Sequence, residues 1–113
     1  MLTLKSVSDK KLKNIHAILC VEFKVDSELI LRPLGGCFHG HYVPSNDRIV
    51  VNTKITDKGG TLCHEWAHLI ALKKYGSTGH NMGHARIQKW LMLRFGIKFR
   101  VAEWESIRPW KIV

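Results

Sequence analysis

The stretch Thr61-Leu62-Cys63-His64-Glu65-Trp66-Ala67-His68, continuing through Leu69-Ile70-Ala71-Leu72, decides how the rest of the chain reads. At 3.6 residues per turn, positions 64 and 68 of a helix lie one above the other, so the two imidazoles can hold one ion between them. Glu65 then stands beside that ion. The residues around the motif are so uniformly apolar that the helix must be buried on most sides. Two histidines and a carboxylate buried there without partners would be costly, whereas a metal and its water satisfy all three together. Cys63 points about 100° away around the helix from His64 and reads as core.

Two imidazole nitrogens, a third protein ligand and one water make an open tetrahedral zinc site, in which the water's pKa falls toward about 7. Glu65 is placed to take its proton as general base, which is the chemistry of peptide-bond hydrolysis without a covalent intermediate. His80 and His84, 12 and 16 residues beyond His68, are the candidates for the third ligand. His84 is preferred because it shares a helical stripe with Ile87, Leu91 and Phe95, so its ring points inward. His80 lies in a glycine-flanked loop, where a solvent-exposed or supporting role is its other reading. Glu103 and Glu105 are more distant donors.

Outward from the motif, Ser8 reads as an N-cap, and Leu12, Ile15, His16 and Leu19 recur at helical spacing, which predicts a first helix over about residues 9–20. Val21 to Val25, Glu28 to Arg32, Cys37 to Val43 and Arg48 to Asn52 are short, β-rich and separated by turn formers such as Pro33-Leu34-Gly35-Gly36 and Pro44-Ser45-Asn46-Asp47. They predict a small, mostly antiparallel sheet. Gly59-Gly60 reads as a break, Thr61 as the cap of the motif helix, and Gly76 as its end after Tyr75. A third helix from about Gly83 to Phe95 is expected to bury Ile87, Trp90, Leu91 and Phe95, and the tail from Ile97 to begin as a strand.

The length of 113 residues fits one domain over 1–113, and 45% hydrophobic with 24% charged residues describes a globular rather than a disordered chain. No apolar run reaches the roughly 20 residues of a membrane span, and Met1 to Lys13 lack a secretory signal, so a cytoplasmic protein with no membrane partner is expected. Three cysteines without Cys-x-x-Cys spacing fit reduced thiols. Lysine and arginine number 18 against 9 acidic residues, a net charge of +9 that favours polyanionic partners, DNA among them. Part of that charge, Arg86, Lys89, Arg94, Lys98, Arg100, Arg108 and Lys111, is interleaved with Trp90, Trp104 and Trp110. Cys37, His39 and His41 would line one face of a strand, a row read as part of the substrate cleft's edge rather than as a second metal site.

Taken together, Thr61 to His68, the preceding Arg48-Ile49-Val50-Val51-Asn52 and the following Gly83-His84 resemble the SprT-like, or Spartan, group over about residues 30–98. The resemblance implies zinc ligation by His64 and His68, catalysis by Glu65, and protein substrates that in several members are bound or crosslinked to DNA. His84 is followed by Ala85 and Gln88, where the group's third histidine usually precedes a glycine and, four residues on, an aromatic. The zinc ribbon common in the group has no counterpart, which implies a reduced form such as a phage or plasmid would carry. The expected protein is therefore an α+β, zincin-like zinc endopeptidase with His64, His68 and His84 as ligands. The alternatives are a non-catalytic nucleic-acid-binding protein with a structural zinc, and a peptidase dedicated to one regulatory partner.

Overall fold

The computed structural model describes residues 7–35 and 38–97. Six elements follow one another: α1 (Asp9–Phe23), β1 (Leu29–Arg32), β2 (Gly40–Val43), β3 (Arg48–Asn52), α2 (Lys58–Tyr75) and α3 (Met82–Arg94). The architecture is α+β, as expected, with a three-stranded sheet packed against the motif helix α2 and two further helices.

The sheet is mixed rather than mostly antiparallel. Its order is β1-β3-β2; the turn at residues 44–47 folds β2 back on β3 as an antiparallel hairpin, while β1 runs parallel to β3 on its other side. The connection from β1 to β2 therefore crosses over instead of turning tightly. Asn52 fixes it: this buried side chain accepts from the Leu34 and Lys54 N–H groups and donates to the Leu34 and Phe38 carbonyls. Three of these four hydrogen bonds hold the crossover in place of a strand ladder.

The apolar stripe of α1 runs one turn further than expected, through Phe23, whose ring lies 6.4 Å from that of Trp66. Val21 to Val25 is consequently not a strand. Lys24 ends the helix in the left-handed region, at φ 55°, with its N–H on the Cys20 and Val21 carbonyls. Similarly, α2 begins before Gly59-Gly60 instead of after it, because the Asp57 carboxylate caps the Gly60 N–H. Gly76, at φ 63°, ends that helix as expected.

Leu12, Ile15 and Leu19 of α1, Ile49 and Val51 of β3, Leu62, Trp66, Leu69 and Ile70 of α2, and Leu91 and Met92 of α3 form one core, with Trp66 at its centre and wholly buried. Losing such a ring costs about 3–5 kcal/mol. Its indole N–H donates to His16 Nδ1 at 3.0 Å, and His16 Nε2 donates to the Ser27 carbonyl at 2.8 Å, so α1, α2 and the loop before β1 share one buried chain of hydrogen bonds. Trp90, expected in the core, is 46% exposed. The proposed start of a strand at Ile97 and everything after it, including Glu103, Glu105, Trp104 and Trp110, lie at or beyond the end of the described residues. Among those residues no helix is long and apolar enough to cross a membrane.

Candidate active site

Because α2 is buried on nearly every side, its His64, Glu65 and His68 open onto the one direction left to them, a cleft of about 380 Å³. The opposite wall is β2, an edge strand, and the outer rim is the segment Ser77 to His80. Gly40 lets β2 come this close: a Cβ there would stand 2.4 Å from the Val50 carbonyl oxygen and 2.9 Å from Thr61 Cγ2. His41 lines the cleft and is exposed, as is His39; Cys37 lies outside the described residues.

Four imidazoles gather at the cleft floor. The His64 and His68 ring centroids are 4.9 Å apart, as the four-residue spacing requires. His84 is buried at the start of α3, as its stripe predicts, and its ligating nitrogens fall within 4.8 Å of those of His64 and His68. Its ring nevertheless stacks on that of His68, with centroids 4.0 Å apart and planes inclined by 34°, and its Nε2 donates to the His64 carbonyl at 3.0 Å. His80, from the exposed loop, reaches further in. Its Nε2 lies 3.0 Å from His64 Nε2 and 3.1 Å from His68 Nε2. Asn81 makes this possible by capping α3, its side chain accepting from the His84 N–H, so the chain turns sharply just after His80.

These nitrogens fit a metal better than they fit one another. Gln88 Oε1 accepts from His64 Nδ1 at 2.9 Å, which leaves His64 Nε2 as a lone pair aimed at the other rings. A neutral His80 can donate one proton from Nε2 to one neighbour, and the second contact then has no proton to share. An ion bound at about 2.0–2.1 Å from each nitrogen would separate tetrahedral ligands by roughly 3.3 Å, close to the spacing found. The sequence pattern puts Gln88 on a helix and no more; its contact with His64 depends on how α3 packs on α2.

The electrostatics favour the neutral form of two of the four imidazoles. Burial, reinforced by His64 and His80, holds the His68 imidazole down to about 4, and burial with His68 and His64 nearby holds His84 down to about 3. Glu65 is buried, and that burial pushes its carboxyl up to about 7. Cys63 is core, its thiol pushed up to about 12 by burial and the Asp57 charge.

No protein-family model and no curated protein matches the sequence. Among solved structures, the chain is similar to the crystal structure of the metallopeptidase zymogen jannalysin of Methanocaldococcus jannaschii, with 13% identity and a TM-score of 0.51 over 87% of this chain and 90% of that one. At this identity the likeness carries the fold, which is metallopeptidase-like.

Proposed function

We propose that the chain is a zinc-dependent endopeptidase of the SprT-like kind, with Glu65 as general base and His64, His68 and His80 holding the metal. The observation that carries this reading is the convergence of three Nε2 atoms, two of them 3.0 and 3.1 Å from the third, beside a buried glutamate at the floor of a cleft. His84 takes a supporting part, holding the His64 backbone and the His68 ring in place.

A bound zinc supplies Lewis acidity, polarising the scissile carbonyl and acidifying a water. The remaining work falls to the protein. With its carboxyl raised by burial toward neutrality, Glu65 is matched to accept a proton from the attacking water and to pass it to the departing amine. β2 is an edge strand along the cleft, so an extended substrate can add to it through main-chain hydrogen bonds. Proteins or peptides are the substrate class; the extension to DNA-associated proteins rests on the +9 charge and the sequence resemblance alone.

A second reading has one observation in its favour: all four ring centroids lie within 5.3 Å of one another, as a closed structural site would require. X-ray absorption on the zinc-loaded protein separates the two. Three nitrogens and one oxygen around zinc is the expected result, and four nitrogens would favour the structural site.

A further inference from the structure

A second hollow, of about 640 Å³, opens between the C-terminal ends of α1 and α2 and the outer face of α3. It is not part of the cleft. His64, His68 and Leu72 follow one stripe of α2, whereas Ile70, which lines the hollow, is about 200° around the helix from His68. Its floor is apolar, made of Phe23, Ile70 and Ile87. Tyr75 and Trp90 flank it, 72% and 46% exposed. Ile18, one turn back from Glu22 on α1, and Leu93, one turn on from Trp90 on α3, are exposed as well. An apolar floor flanked by exposed aromatic rings and rimmed by polar groups is the pattern of an association site.

The rim is mostly cationic. Lys24, Lys74 and Arg86 line the hollow, and the one acid among its lining residues, Glu22, is held by Arg94 in a two-pronged pair at 2.7 and 2.5 Å. An apolar centre, aromatic flanks and a cationic rim complement a peptide with an apolar side chain between carboxylates. Nucleic acid fits less well: bases can stack on the aromatic rings, but the isoleucine floor offers phosphates and base edges nothing, whereas an apolar side chain gains from all of it. We infer that this hollow is a docking site for an acidic peptide segment with an apolar anchor, belonging to a protein partner and bound on the face of α2 opposite the cleft.

The test uses the full chain carrying Glu65→Gln, so that no bound peptide is cut, labelled with 15N and titrated with a synthetic peptide of one Leu-Trp pair flanked by glutamates. Saturable shifts are expected at the amides of Lys24, Lys74 and Tyr75 and at the Trp90 indole, with the amides of Thr78 to His80 unmoved. Lys74→Glu should weaken binding at least about tenfold, with a steep loss at high salt. Trp90→Ala should do the same; if it fails to fold, Lys74→Glu at the exposed helix end still decides. The inference is overturned if the peptide gives no saturable shifts at millimolar concentration, or if they fall only in the cleft. It is equally overturned if the same peptide with lysines for glutamates, or a thymidine 12-mer, binds the hollow as tightly. None of these outcomes depends on the metal reading, which is tested by cleavage.

Discussion

His64 Nε2 and His80 Nε2 lie 3.0 Å apart although 16 residues and a helix end separate them. Two neutral imidazoles gain about one ordinary hydrogen bond from such a contact, whereas a third nitrogen, that of His68 at 3.1 Å from His80 Nε2, gives the three the spacing that a tetrahedral metal ion would need.

Purified protein should accordingly bind about one zinc per chain. His64→Ala combined with His68→Ala should abolish it, and removal of the metal from the parent should lower the melting temperature, since ligands held by the folded state alone couple binding to stability. Metal analysis and thermal melts with and without a chelator check this. Unchanged zinc content in the double variant would be incompatible with the site.

His80 and His84 should separate cleanly. His80→Ala, on an exposed loop, should leave the metal-free melting temperature within a few degrees of the parent while lowering zinc affinity by more than 100-fold. His84→Ala should lower affinity by the roughly 10–100-fold of a lost supporting bond and should also destabilise the metal-free fold. Competition titrations with a zinc-binding dye measure the first effect and urea denaturation the second. The opposite ranking would return the third position to His84.

His16 should make stability depend on pH. Burial holds its pKa below the usual histidine value, against the opposing effect of its bond to the Ser27 carbonyl. Its neutral form alone leaves Nδ1 free to accept from Trp66. Because the unfolded chain binds the proton more readily, the contribution is fully present above the unfolded pKa of about 6.5 and is lost as pH falls through the folded value. His16→Asn should cost about 1–3 kcal/mol at pH 7.5 and flatten the slope below pH 6.5 by up to one proton. Urea melts at several pH values on the metal-free protein provide the comparison; an unchanged slope would mean that His16 does not carry it.

Asn52→Leu should be among the more damaging substitutions outside the cleft. It removes four hydrogen bonds, three of them to the crossover between β1 and β2, and leaves the Leu34 N–H and Phe38 carbonyl without this partner, at about 2–4 kcal/mol. Cleavage activity should fall with stability, because β2 forms a wall of the cleft. Full activity in a variant that melts well below the parent would separate the crossover from the site.

The motif helix, its C-cap at Gly76 and the inward face of α3 were legible because each is a local pattern: a four-residue spacing, a left-handed cap, a stripe. His84 was rightly placed inside, yet direction alone could not tell that its Nε2 would meet a backbone carbonyl. His80 has no periodicity to place it, because it lies in a loop; the turn that brings it to His64 and His68 depends on the Asn81 cap. The parallel pairing of β1 with β3 and the exposure of Trp90 were hidden for a related reason, since both depend on how distant elements pack. The Asn-centred crossover leaves no periodic trace in sequence.

On the proposed mechanism Glu65 moves the proton. Zinc-loaded parent and Glu65→Gln proteins should be compared on denatured, fluorescently quenched casein, with metal content measured on the same samples. On this mechanism both should bind one zinc with the same fold, the parent should cleave and lose activity to a chelator, and the variant should be slower by at least the roughly 10²–10⁴-fold of a lost general base. A Glu65→Gln protein that retained zinc and cleaved as fast as the parent would contradict it.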